Sequence, residues 1–150
     1  MKILTFTNQK GGTGKTTSTL SVGAGLARKG YKVLIVDLDP QGNATTAAGI
    51  TPDAKDPTVY EVLKGAAKTA DAIRTTAGGY DILPTDIRQS GADIELASAA
   101  GRDFILLEAL EAVKDRYNYA IIDSPPSLSV VTLMGLTAAD GVVVTLKTDY

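Results

Sequence analysis

The stretch Lys10-Gly11-Gly12-Thr13-Gly14-Lys15-Thr16-Thr17 stands between two segments of different character. Ile3-Leu4-Thr5-Phe6-Thr7 before it is a short apolar run that reads as a buried strand, and Leu20 to Lys29 after it reads as a helix. A glycine-rich turn between a strand and a helix is the context that a phosphate-binding loop requires. Gly11, Gly12 and Gly14 let the backbone turn tightly and aim successive N–H groups at an anion. The helix adds free N–H groups and its positive dipole end at the same place. In such a loop the segment from Gly11 through Thr13 to Thr17 cradles the phosphates, Lys15 reaches the β- and γ-phosphates, and the Thr16 hydroxyl ligates Mg²⁺. The bland alternative is a glycine-rich turn that binds nothing.

The common phosphate-loop pattern, G-x-x-x-x-G-K-[ST], is not met, because its first glycine would fall on Gln9. A second lysine, Lys10, stands before the glycines instead. The loop resembles the deviant Walker A motif of the ParA/MinD ATPases, and Asn8-Gln9 ahead of it makes it most similar to ParA-type partition proteins. That resemblance implies ATP or ADP with Mg²⁺ as cofactors. It also implies a lysine at position 10 that reaches across a dimer interface to the partner's phosphates, much as an arginine finger does. A lone loop lysine is otherwise a solvated charge.

Composition narrows the chemistry independently of any resemblance. The chain has 150 residues, 44% hydrophobic and 21% charged, which suits one globular domain with a real core. It has no cysteine and no histidine, so thiolate chemistry, disulfides and the commonest general base are all excluded. Carboxylates, lysines, hydroxyls, backbone groups and a bound ion remain, and these suit phosphoryl transfer. A net charge of −2 does not advertise nucleic-acid binding. No apolar run approaches the roughly 20 residues of a membrane span, and Met1-Lys2 enters a strand without a signal sequence. A cytoplasmic protein without membrane attachment is expected.

Along the chain, strands and helices alternate. The first helix, taken from Gly14 to Lys29, carries Leu20, Ala24 and Ala27 on one stripe, and Gly30 ends it. Gly23 and Gly25 should each weaken it by about 1 kcal/mol relative to Ala, which close packing on a sheet would offset. Lys32 to Asp37 reads as a second strand, buried on both faces. Asn43 is placed to cap a short helix over Ala44 to Gly49, and Ile50 to Pro57 is a loop. Thr58 to Leu63 and Thr69 to Arg74 read as short helices, and Tyr80 to Leu83 as a third strand. Gln89 to Ala100 is expected as a helix, and Asp103 as the cap of another with Phe104, Leu107, Leu110 and Val113 on its apolar face. Tyr119 to Asp123 is a fourth strand, Leu128 to Ala138 a helix, and Gly141 to Leu146 a fifth strand. The class is α/β, a doubly wound, mostly parallel sheet.

In such sheets ligands bind beyond the carboxyl ends of the strands. Asp37 and Asp39 follow the second strand and Asp123 ends the fourth, so all three could meet the phosphate loop. Asp123 after four apolar residues looks like a Walker B aspartate, which holds Mg²⁺ directly or through water. Asp37-Leu38-Asp39-Pro40-Gln41-Gly42-Asn43 resembles the Walker A′ motif of the ParA group. By that resemblance Asp39 orients or activates the attacking water, and Asp37 supports the Mg²⁺ environment. With no histidine available, a carboxylate is the best base or water-positioner. Asp123-Ser124-Pro125-Pro126 resembles the family's D-x-P-P switch segment, and Asp93-Ile94-Glu95-Leu96 after Leu83-Pro84 resembles its mid-domain stretch.

ParA proteins are longer than this chain, so a single domain over residues 1–150 is expected to be the N-terminal part of a longer family domain. The adenine-contacting segment and most of the basic DNA-binding surface lie in the later part of the family. The resemblance implies an ATP-bound homodimer, a ParB-type centromere-binding partner, non-specific DNA and a nucleoid-associated location, with plasmid or chromosome partitioning as the output. A MinD-like membrane ATPase is an alternative whose diagnostic amphipathic helix would lie beyond Tyr150. A bacterial tyrosine kinase shares the loop type, but the six tyrosines are dispersed here. A nucleotide-binding fragment without turnover is the remaining alternative. The nitrogenase iron protein is excluded by the absence of cysteine.

Overall fold

The computed structural model describes residues 1–148. Its centre is a sheet of order β3-β4-β2-β5-β1-β6. The strands are β1 (Lys2–Thr7), β2 (Val33–Asp37), β3 (Arg74–Thr75), β4 (Asp81–Leu83), β5 (Tyr119–Asp123) and β6 (Gly141–Val144). All neighbours pair in parallel except β3 with β4. β5 lies between β1 and β2, with Leu4 opposite Ile121 on one side and Ile35 opposite Ile121 on the other.

The two faces are buried alternately, as the period of a strand dictates. Val33 and Ile35 face one cluster with Phe6, Tyr80, Ile82 and Ile121, covered by α1 (Lys15–Arg28) through Leu20, Ala24 and Ala27. Leu34 and Val36 face the other, with Leu83, Ala120 and Ile122. That face is covered by α3 (Val59–Leu63), α6 (Ile105–Glu111) and α7 (Val130–Ala138), which contribute Val62, Leu106, Leu110 and Met134. Helices on both faces of a mostly parallel sheet make the doubly wound arrangement expected.

Several local expectations are corrected. Arg74 lies in the antiparallel strand β3, not in the preceding helix, which is α4 (Thr69–Ala72). Asn43 is the first residue of α2 (Asn43–Ala47), and Gly42 in a left-handed conformation (φ 64°) takes the cap position. The expected helix over Gln89 to Ala100 is a 3₁₀ turn (Ile87–Gly91) running into the four-residue α5 (Ala92–Glu95). Asp103 sits inside a 3₁₀ turn (Arg102–Phe104) that Gly101 starts, and Phe104 points outward, half exposed. Helix α7 begins at Val130 behind a Ser129 cap, and β6 ends at Val144.

The long excursion between β2 and β4 is held by local polar bonds. Thr58 and Glu61 form a capping box that starts α3. Arg88 then ties Glu61 (2.7 Å), the Asp86 carboxylate and the carbonyl oxygens of Ala54 and Asp56 into one knot. This fixes the turn after β4 next to the Asp37 loop. No helix among the described residues is long and apolar enough to cross a membrane.

Candidate phosphate and metal site

The site forms where β1, β2 and β5 end. Beyond β1, the Asn8 side chain fixes the entry to the loop by accepting from the Lys10 N–H (2.9 Å) and donating to the Thr145 carbonyl (2.6 Å). Gly12 and Gly14 adopt φ of 72° and 82°, a left-handed conformation that a side chain would strain. Gly14 starts α1 without any side-chain cap. The first N–H groups of a helix lack intrahelical partners, so the uncapped turn offers them to an anion. Lys15 is buried, and its Nζ donates to the Lys10 carbonyl at 3.3 Å. Thr13 spans the loop, contacting the Thr145 hydroxyl at 2.9 Å. The Lys10 side chain is exposed at the mouth.

Opposite the loop stand the aspartates. The Thr16 hydroxyl donates to Asp123 Oδ2 at 2.6 Å. Asp123 Oδ1 is buried with no hydrogen-bond partner. Burial, then the nearby Asp39 charge, push the Asp123 carboxyl up to about 6. Asp37 is fully buried, and burial raises its carboxyl to about 7 despite donors from Thr45 and Asp39. Its Oδ2 accepts from the Thr45 N–H (2.8 Å) and hydroxyl (2.7 Å), and its Oδ1 from the Asp39 N–H (3.2 Å). Both oxygens of Asp37 are therefore engaged by donors from its own turn and from α2. Asp37 anchors the loop, and the Asp123 charge adds to the upward push on its carboxyl. Asp39 Oδ1 accepts from the Gln41 N–H at 3.0 Å, and Asp39 lines the cleft.

The cleft itself encloses about 430 Å³ and is lined by Gly11 through Thr17, Asp39, Gln41, Asn43 and Pro126. It thus joins the glycine loop, the Asp39 turn and the segment after β5 in one space. A hollow of about 510 Å³ at the amino ends of β2, β4 and β5 and an apolar groove of about 530 Å³ between α3 and α6 are larger. Neither contains the uncapped helix start or Asp39. Among the described residues no group of three or more acidic, histidine or cysteine side chains forms a metal cage. The donor set instead suits Mg²⁺, which takes one or two protein oxygens and completes its shell with water and phosphate. The buried Asp123 carboxylate beside the Thr16 hydroxyl is where such an ion would relieve a buried charge.

Several supporting residues are not singled out by sequence reasoning. Thr45 holds Asp37 and also accepts from the Thr85 N–H at 3.1 Å, and the Thr5 hydroxyl meets that of Ser124 at 3.1 Å under the loop. Thr45 lies eight positions after Asp37 in a helix that Gly42 starts, a spacing that carries no general signal.

Fold and site together define a P-loop nucleotide-binding domain whose loop carries a second lysine. A match to the AAA domain family AAA_31 extends over residues 1–150, and the chain belongs to that family. It is 47% identical over 150 residues to the sporulation initiation inhibitor protein Soj of Bacillus subtilis, covering 99% of this chain and 59% of that protein. It is 44% identical over 153 residues to the chromosome partitioning protein ParA of Caulobacter vibrioides, covering 100% of this chain and 57% of that one. Among solved structures, cobyrinic acid a,c-diamide synthase from Mycobacterium smegmatis with bound ATP analogue and magnesium superposes with a TM-score of 0.95 at 44% identity. That likeness covers 97% of this chain and 60% of that one, and the same protein is also solved with ADP and magnesium. The chain thus spans less than two thirds of the length of these relatives.

Proposed function

We propose that this domain binds ATP with Mg²⁺, hydrolyses it slowly, and uses the bound nucleotide to switch between monomer and homodimer in plasmid or chromosome partitioning. The observation that carries the reading is the single cleft lined by the glycine loop, Asp39 and Pro126, with Thr16 of its wall bonded to Asp123. Its relatives Soj and ParA supply the partitioning context. DNA and a ParB-type protein are the expected partners of the whole protein.

Each residue has a part that its position supports. The first-turn N–H groups and Lys15 bind the phosphates, and Lys15 exchanges its bond to the Lys10 carbonyl for them. Mg²⁺, when bound, neutralises charge on the β- and γ-phosphates. Thr16 and Asp123 hold it, and the Asp37 charge adds to the same negative environment. Asp39 positions the attacking water with the oxygen left free by Gln41. Lys10, exposed at the mouth, is free to reach a second copy of the chain. Pro126, seated in the cleft wall, couples phosphate occupancy to the start of α7.

Size-exclusion with light scattering tests the switch on wild type, Asp39→Ala and Lys15→Ala, each with ADP–Mg²⁺ or ATP–Mg²⁺. An ATP-specific dimer, made more persistent by Asp39→Ala and lost in Lys15→Ala, is the expected result. Monomers under every condition, with ATP still bound, would remove the dimer and the role given to Lys10.

A further inference from the structure

Helix α1 presents a second hydroxyl to the Walker B-type aspartate. Thr19 lies one turn beyond Thr16 on the same helix face, since residues three apart are neighbours on a helix surface. It is wholly buried, and its Oγ1 makes no hydrogen bond. Asp123 Oδ1 is in the same condition: buried, and without a partner. Threonine in a helix usually returns its hydroxyl to the carbonyl one turn back, and Thr19 does not. An unbonded buried donor and an unbonded buried acceptor are each costly, and together on facing elements they are a pair waiting to close.

We propose that Thr19 is a positioning residue for the metal site: its hydroxyl donates to Asp123 Oδ1 when the cation is present, so that Thr16 and Thr19 grip the carboxylate from one helix face. The proposal rests on the Mg²⁺–ATP reading above. In a site with a single well-placed carboxylate, the orientation of that carboxylate decides how well the ion is held. Groups of this supporting kind typically contribute about 10- to 100-fold in metal affinity. An apolar residue of the same shape would fill the space equally well and would not orient the oxygen.

The test is titration of the fluorescent nucleotide mant-ATP into the full chain at varied Mg²⁺ concentration, with an EDTA control. The proteins are wild type, Thr19→Val and Thr19→Ser. Thr19→Val should raise the Mg²⁺ concentration for half-maximal binding about tenfold. It should leave binding in EDTA unchanged, and Thr19→Ser should restore the wild-type response. A residue that only fills space would shift all conditions together, and serine would not rescue it. If Thr19→Val does not fold, Thr19→Ala makes the same comparison. Wild-type Mg²⁺ dependence in either apolar variant overturns the role of Thr19 while the nucleotide reading stands. A wild-type chain whose mant-ATP binding ignores Mg²⁺ overturns both.

Discussion

Asp123 carries a charge in a place that disfavours it. Its carboxyl titrates at about 6 and that of Asp37 at about 7, against 3.8 for an ordinary aspartate, with burial the main cause in both. Between pH 3.8 and these values the folded chain holds protons that the unfolded chain has released. The stability from this source is complete below the ordinary value and is lost as pH rises through about 6 and about 7. The ligand-free chain should therefore melt lower at pH 8 than at pH 5.5, the opposite of acid denaturation. Asp123→Asn removes one ionisation and breaks no bond at Oδ1, where none exists. It should raise ligand-free stability at pH 8 by on the order of 1–2 kcal/mol, flatten the pH slope, and abolish the extra stability that Mg²⁺–ATP gives. Asp37→Asn should behave differently, because it disturbs an acceptor of three donors, and is expected to destabilise at every pH. Thermal melts at pH 5.5 and 8 distinguish the two. A ligand-free Asp123→Asn melting below wild type at pH 8 would show that no charge is stored there.

At the scale of elements, the two glycines inside α1 part company. A Cβ on Gly23 would lie 2.6 Å from Ile35 Cδ1, so the helix sits on β2 at a distance only glycine permits without displacing a buried core side chain. A Cβ on Gly25 would meet nothing within 4 Å. Gly25→Ala should stabilise by about 0.5–1 kcal/mol, while Gly23→Ala should lose about 1–2 kcal/mol to overpacking. Urea unfolding of the two variants measures both, and equal effects would refute the packing argument. The sequence makes the helix and the cost of its glycines plain, since both follow from composition. Which glycine touches the sheet depends on helix rotation, and that is set by Thr19 and Gly23 facing inward. The same distinction runs through the rest of the chain. β2 and β5 are apolar up to their closing aspartates, β1 is interrupted only by Thr5, and all three are legible to within a residue at their starts. β3 has two residues, Arg74 and Thr75, and exists only because β4 pairs with it. The cap expected at Asp103 fails because Gly101 supplies a left-handed start two residues earlier.

At the scale of the whole molecule, the aspartates meet the glycine loop because β5 is threaded between β1 and β2, which brings three carboxyl ends together. The strand-end rule makes that meeting legible, although the spatial order of strands is not written in any one segment. It does not reveal that Thr45 would occupy Asp37, because the contact depends on α2 turning back over β2. The same topology leaves β6 at an edge, bonded to β1 on one side, with no further strand beside it among the described residues. Val142 and Val144 are 51% and 57% exposed, and Leu146 beyond them 78%. An apolar edge of unpaired N–H and C=O groups is a template for another strand, and the common protection is an inward or edge lysine. At concentrations well above those at which the ATP-dependent dimer is tested, the chain should also self-associate through this edge whether or not nucleotide is present. Val142→Lys with Val144→Lys should suppress this association in sedimentation velocity and leave mant-ATP binding intact, because neither residue lines the cleft. An ATP-dependent dimer would survive the double substitution, whereas edge pairing would not. If the substituted chain still associates without nucleotide, the contact lies on another surface and the β6 edge is not its cause.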